Sequence, residues 1–192
     1  MATKDGARIS PWTRSNRADP DCLPLADRHY NRQKPGSPQF VPPGRCLVLK
    51  RADAVWVTSW PFAEFVKHAW AGAWINSMFR HEGEAVASEL IRAAVAATRA
   101  TWPTVPALGM VTFIDPVHVK PRMVRGRPTW GHSYFAAGFE HVGYTKAGLW
   151  AMQLRPERMP EPEAACEDAP MFTANVATVT LDAVLAERER RT

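Results

Sequence analysis

A chain of 192 residues is long enough for one domain with a sizeable core and tails, and 46% hydrophobic against 22% charged residues is an ordinary globular balance. No apolar run is long enough to span a bilayer, and the polar stretch from Met1 to Asp21 lacks the apolar centre of a signal peptide, so a cytoplasmic protein is expected. Three cysteines, Cys22, Cys46 and Cys166, are odd in number and lack metal-ligand spacing, which argues against a disulfide framework or a zinc site.

In chain order, residues 1–20 lack periodicity and read as a flexible basic arm. A short helix is expected from Pro20 to Arg32, with Leu23, Leu25, Ala26 and Tyr30 as its apolar members. The stretch from Gln33 to Gly44 holds four prolines and two glycines and cannot be regular helix. It is either a loop that shapes a substrate site or a rigid connector. Two strands follow, Arg45 to Lys50 and Ala54 to Trp60, joined by a turn near Arg51-Ala52-Asp53. Phe62 to Trp70 reads as a short helix or excursion, and Ala73 to Phe79 as the next strand. The clearest helix is Ser88 to Trp102, where Leu90, Ile91, Ala94, Val95, Ala97 and Thr98 make one apolar stripe that stops before Pro103. Leu108 to Ile114 is a strand ended by Asp115-Pro116, a basic loop runs to Gly131, and Phe139 to Gly143 with Gly148 to Leu154 forms a hairpin. Beyond Pro156 an acidic linker leads to an extended segment near 172–181 and a terminal helix. The chain therefore divides into an arm (1–20), a catalytic domain (21–156) and an extension (157–192).

Net charge is +5, and its distribution is uneven. One basic group includes Arg28, Arg32 and Lys34, a second is Lys120, Arg122, Arg125 and Arg127, and the segment from Glu157 to Asp168 is acidic. A nucleic-acid or polyphosphate partner fits this pattern, as does a solvated basic surface.

Between the strand ending at Phe79 and the helix from Ser88 stands Arg80-His81-Glu82-Gly83-Glu84-Ala85, an R-x-x-G-x-A pattern. A glycine there lets the backbone approach a bound group, and the free N–H groups of a first helical turn favour an anion. The alternative is a helix start with a tolerated glycine. Further on, Tyr134-Phe135-Ala136-Ala137-Gly138-Phe139 reads Y-x-x-x-G-F.

Strand, R-x-x-G-x-A, helix, strand and Y-x-x-x-G-F, across residues 45–155, resemble the GCN5-related N-acetyltransferase (GNAT) superfamily. The resemblance implies an α/β protein with a central mixed, twisted β-sheet flanked by helices. It implies acetyl-CoA as cofactor, its pyrophosphate held by Arg80, His81, Glu82, Gly83, Glu84 and Ala85, and its pantetheine arm beside Asn76, Ser77, Met78 and Phe79. Tyr134 then falls where the family places a general acid, and a phenol with pKa of about 10 can protonate a departing thiolate. A core tyrosine with a capped hydroxyl is the alternative.

His29-Tyr30-Asn31-Arg32, the loop Pro35-Gly36-Ser37-Pro38-Gln39-Phe40, Phe79-Arg80-His81-Glu82-Gly83, Thr112-Phe113-Ile114-Asp115-Pro116 and Ala137-Gly138-Phe139 look like the Mom-like branch. Those are phage-associated GNAT-fold proteins that modify nucleobases in DNA, which would place the chain in a bacterial host's cytoplasm. The implied function is acyl-CoA-dependent modification of an amino group on a DNA base. Asp115 would accept a proton or orient the base amine; a turn-forming aspartate is its alternative. His29 and Tyr30 would contact the base, transfer a proton, or join Asp115 and His118 around an iron ion; a partly buried helix face is theirs. No metal site is assigned. Arg28, Arg32, Lys34, Ser37, Gln39, Phe40, Lys120, Arg122, Arg125 and Arg127 would contact DNA, with a base in duplex flipped out of its stack. Two other functions fit the same parts: an acetyltransferase for a small amine or a protein, and a GNAT-fold DNA-binding adaptor without catalysis. The C-terminal extension offers a surface for a homodimer.

Overall fold

The structure is a computed structural model, and it describes residues 10–167. The C-terminal strand and helix expected beyond 168, and residues 1–9 of the arm, lie outside the described residues.

The chain is an α/β protein built on one seven-stranded mixed sheet with three α-helices among the described residues. Strands β1 (Thr13–Ser15), β2 (Cys46–Arg51), β3 (Ala54–Ser59) and β4 (Trp74–His81) follow one another as antiparallel neighbours. Helix α2 (Ala87–Thr101) then crosses over to β5 (Met110–Ile114), which lies parallel to β4. The sheet finishes with β9 (Trp150–Leu154) beside β5 and β8 (Glu140–Tyr144) on the outer edge, giving the order β1-β2-β3-β4-β5-β9-β8. A separate two-stranded ribbon, β6 (Arg122–Val124) and β7 (Arg127–Thr129), and a short helix α3 (His132–Ala137) fill the β5–β8 connection.

Two apolar layers hold the sheet. One face packs Leu47, Leu49, Trp56 and Trp74 against Leu90, Ile91, Ala94 and Val95 of α2. These are the stripe positions of the helix, so burying them removes its apolar face from water. The opposite face buries Val48, Val55, Val57 and Met78 under helix α1 (Leu23–Asp27) and the Phe40-Val41 part of the Pro/Gly loop. Loop and helix are thus held as one covering layer.

Four segments differ from the sequence expectation. Residues 13–15, assigned to a flexible arm, are edge strand β1, anchored by Trp12, which is fully buried and donates its indole N–H to Leu90 O at 2.9 Å. The acidic linker is partly docked as well, because Cys166 exchanges backbone hydrogen bonds with Trp12 and Arg14 at that edge. The basic loop before Gly131 contains the β6–β7 ribbon, and α1 is five residues long where a longer helix was expected. Among the described residues no helix is long and apolar enough to cross a membrane.

Candidate functional site

β4 and β5 pair only at Trp74↔Met110, Ile75↔Val111 and Asn76↔Thr112, although β4 runs on to His81. Beyond that last pair the strands part and a cleft opens between them. The parting coincides with a β-bulge. Val57 faces Met78 and Thr58 faces Asn76, so Ser77 is the extra residue on β4. The bulge changes which face each side chain takes: Trp74 packs on the α2 side, whereas Met78 packs under α1. Asn76 ties it down, its buried side-chain amide donating to Val57 O at 3.0 Å and Met78 O at 2.9 Å. Those two bonds fix the amide's orientation and leave Asn76 Oδ1 as an acceptor.

Helix α3 brings Tyr134 to that acceptor. The phenol donates to Asn76 Oδ1 at 2.5 Å, and the Thr112 hydroxyl lies 3.3 Å from the same oxygen. Tyr134 therefore stands at the vertex of the cleft. Removal from water pushes its pKa above the ordinary tyrosine value, so it remains a neutral phenol at physiological pH. The rest of the Y-x-x-x-G-F pattern stops a helix. Gly138 follows α3 at φ +105°, its N–H reaches Phe135 O, and the N–H of Phe139 reaches Tyr134 O. The Phe139 ring packs edge-on against the Tyr134 ring, the apolar contact such a stop usually carries. Glycine and both aromatic rings thus serve the helix end. Only the Tyr134 hydroxyl is left over, and it points into the site.

The cleft has a volume of about 320 Å³ and is lined by His29, Tyr30, Asn76, Ser77, Met78, Phe79 and Tyr134, with Lys120, Arg122 and Thr129 on its outer wall. His29 and Tyr30 come from the end of α1 and its following turn. The Asn31 amide donates to Ser77 O at 2.8 Å, which turns Asn31 Oδ1 toward His29 Nδ1 at 2.6 Å. The Asn31 backbone N–H also approaches Nδ1, at 3.3 Å, but the 2.6 Å contact with an oxygen that only accepts is the stronger, which assigns the proton to Nδ1 and leaves Nε2 a lone pair. Burial pushes the His29 pKa below the ordinary histidine value and keeps the ring neutral.

Tyr30 is sandwiched between the rings of His29, at 4.5 Å, and His118, at 5.7 Å. Asp115 lies behind this stack. Its carboxylate accepts from Val117 N–H at 2.8 Å, as a turn aspartate does, and from His118 Nδ1 at 2.8 Å, and both bonds hold its pKa below the usual value. The four residues suggested for iron therefore do meet, but face-stacked rings direct their heteroatoms sideways and Tyr30 separates the two imidazoles. They do not fit an iron centre, and among the described residues no three His, Cys, Asp or Glu side chains gather as a metal site.

The R-x-x-G-x-A residues lie at the far end of β4. Arg80 donates to Glu82 Oε1 at 2.8 Å and to Arg28 O at 2.9 Å, and Arg28 grips the same Glu82 carboxylate at 2.8 and 2.6 Å. Two guanidiniums thus converge on one carboxylate, and that pairing pushes the Glu82 pKa down to about 2. Helix α2 begins just beyond, with Val86 before it and no side chain capping its first turn. Arg80 pairs with Val55 on the α1 face of the sheet, so the two guanidiniums and Glu82 form a charged cluster at the end of α1, whereas α2 packs on the opposite face. Gly83 has a second reason to be glycine: a Cβ there would lie 1.7 Å from Asp53 Oδ2 and 3.1 Å from Asp53 Cβ. Of the other loop residues, His81 lies 3.7 Å from the Asp53 carboxylate, Glu84 is exposed, and Ala85 packs against the core.

The basic residues separate into two kinds. Arg32 is a structural brace, its guanidinium held by Asp27 at 2.7 Å and by the carbonyls of Gln39 and Ser37 at 3.0 and 2.6 Å. Phe40 is buried in the lower layer, not free to stack on a base. Lys34, Ser37 and Gln39 border a neighbouring groove that shares Ser77 and Met78 with the cleft. Lys120, Arg125 and Arg127 are exposed and form no ion pair with another described residue, while Arg122 donates to His132 Nε2 at 2.6 Å.

The structure thus gathers Tyr134, His29, Tyr30 and residues 76–79 in one cleft, and sets Asp115 just outside it. The sequence reading assigned no role to the Asn31 and Thr112 side chains and treated Asn76 as backbone alone. All three lie within the motif segments, but their roles depend on the bulge and on contacts across the sheet. No protein family, no curated protein and no solved structure matches this chain. The class defined by fold and site is therefore an α/β protein whose mixed sheet opens a polar-edged cleft between its two parallel strands.

Proposed function

We propose that the cleft between β4 and β5 binds an acyl-CoA thioester and that the chain is a GNAT-type acyltransferase acting on an amino group of a DNA base. The observation that carries this reading is the Tyr134 phenol at the vertex of the parted parallel strands. The order strand, R-x-x-G-x-A, helix, strand agrees with the superfamily resemblance.

The thioester supplies an activated acyl group. The chain's residues do the rest. The stretch of β4 at residues 77–79, which has no β5 partner, lies beside the thioester arm, and Arg28 and Arg80 balance the pyrophosphate's charge. His29 Nε2 takes the proton that the attacking amine loses, because Asp115 is already committed to Val117 and His118. Tyr134 gives its proton to the departing sulfur. Proton transfer by such a placed group contributes roughly 10²–10⁴-fold to rate. A base acted on in this cleft must leave its stack, and Lys120 and Arg122 on the outer wall suit the flanking phosphates.

Mass spectrometry of nucleosides from DNA co-expressed with the folded protein tests this. A new, heavier nucleoside that disappears with Tyr134→Phe is the expected result. Unmodified nucleosides from a protein that still binds acetyl-CoA would redirect the reading to a small-molecule amine.

A further inference from the structure

The β6–β7 ribbon stands apart from the main sheet and is exposed almost throughout, with Met123 and Val124 turned to solvent. From Lys120 to Gly131 it carries four basic residues and no acidic one. Its pairing, Arg122↔Thr129 and Val124↔Arg127, places Arg122 and Arg127 on one face, because alternate residues share a face. That is the face which overlooks the cleft, since Arg122 and Thr129 line it. The two arginines are diagonal neighbours across the ribbon, roughly 7–8 Å apart at their bases.

The tip is unusual. Arg125 has φ +49° and Gly126 φ +76°, the left-handed pair of a tight hairpin turn. Asn or Asp fills the first of these positions readily, whereas arginine there is strained, so the turn retains a cation at its farthest point against local preference. The ribbon is also unsuited to pairing with another strand. Val124 and Arg127 flank the turn as a hydrogen-bonded pair, so Met123↔Pro128 is the next, outward-facing pair, and Pro128 has no N–H to offer. The chain's own acidic segment is docked at the β1 edge through Cys166, away from the ribbon.

We propose that this ribbon is the strand clamp of the enzyme: Arg122 and Arg127 from its basic face, and Arg125 from its tip, hold successive phosphates of the DNA strand whose base occupies the cleft. The proposal rests on the DNA-modification reading above. A partner with repeated negative charge and a base to insert satisfies both the basic face and the cavity it borders.

The test is the salt dependence of binding of a labelled single-stranded DNA oligonucleotide to wild type and to the Arg125→Asn/Arg127→Gln double variant. Asparagine suits the left-handed turn, and an unchanged melting temperature with unchanged acetyl-CoA binding confirms the fold. The clamp predicts at least about tenfold weaker binding at low salt and a log–log salt slope shallower by about 1.4, for two lost phosphate contacts on a single strand. Unchanged affinity and slope in the variant, with wild type binding well, would overturn the clamp alone. Absence of oligonucleotide binding by wild type would overturn the DNA reading and the clamp with it.

Discussion

The Tyr134 hydroxyl donates to Asn76 Oδ1 at 2.5 Å, and the same Asn76 amide, through its two N–H groups, closes the β4 bulge on Val57 O and Met78 O. One side chain therefore joins the distortion that opens the cleft to the phenol at its vertex. The two substitutions should separate cleanly. Tyr134→Phe loses one hydrogen bond and about 1 kcal/mol of stability, since Thr112 can still donate to Asn76 Oδ1. Its acyl-transfer kcat should fall roughly 10²–10⁴-fold with acetyl-CoA affinity retained. Asn76→Ala strands two buried carbonyls and should cost about 1–3 kcal/mol by chemical denaturation, as well as activity.

In the proposed reaction His29 should set the acid limb of the pH profile. Burial disfavours its charged form, so its folded pKa lies below its unfolded value of about 6.5. As a base it works until pH falls through that lowered value, and kcat/KM should decline only below the ordinary histidine range. Stability follows the same sign. The unfolded chain binds this proton more readily, so the contribution is complete above the unfolded value and declines as pH falls below it. His29→Gln should remove the acid limb of the rate profile; an unaltered limb would assign the base elsewhere.

Gly83 is expected to be glycine because of Asp53. Gly83→Ala sets a methyl group against the Asp53 carboxylate and Cβ, and should destabilise by about 1–3 kcal/mol. On an Asp53→Ala background the same change should cost much less, and a double-mutant cycle measures the coupling. Equal costs in both backgrounds would show that Asp53 is not the reason for the glycine.

Glu82 sits in the seat proposed for the pyrophosphate, so Glu82→Gln should tighten acetyl-CoA binding several-fold by releasing Arg28 and Arg80. The pH signature is independent of ligand. With its folded pKa lowered to about 2, Glu82 contributes stability that is complete above about 4.5 and is lost as pH falls toward 2. Urea titrations across that window should show a shallower acid decline in the variant. Weaker acetyl-CoA binding by Glu82→Gln would mark Glu82 as part of the seat's framework.

The sheet's long strands and α2 were legible because their apolar periods are set by the layers they bury, as Leu90, Ile91, Ala94 and Val95 illustrate. Strand β1 was not, since three residues carry no period and its anchor, Trp12, answers to Leu90 seventy-eight positions away. The β6–β7 ribbon escaped for a different reason. It buries no face, so no alternation marks it, and Arg125-Gly126 lacks the usual Asn-Gly sign of its turn. At the site, the Y-x-x-x-G-F pattern singled out Tyr134, which lines the cleft. The occupied seat between Arg28 and Arg80 could not be read in this way, because Glu82 and Arg28 are fifty-four residues apart. Arg32 and Phe40 had the right chemistry for DNA contact but are consumed in bracing the Pro/Gly loop and filling the core.

Calorimetric titration of acetyl-CoA into the wild-type protein and the Arg80→Ala variant tests the central claim most directly. Saturable binding of one ligand per chain, weakened at least about tenfold by Arg80→Ala, is the predicted result, since a charge-assisted pair is worth roughly 1.5–3 kcal/mol. No saturable binding by folded wild-type protein, or equal binding by both proteins, would contradict it.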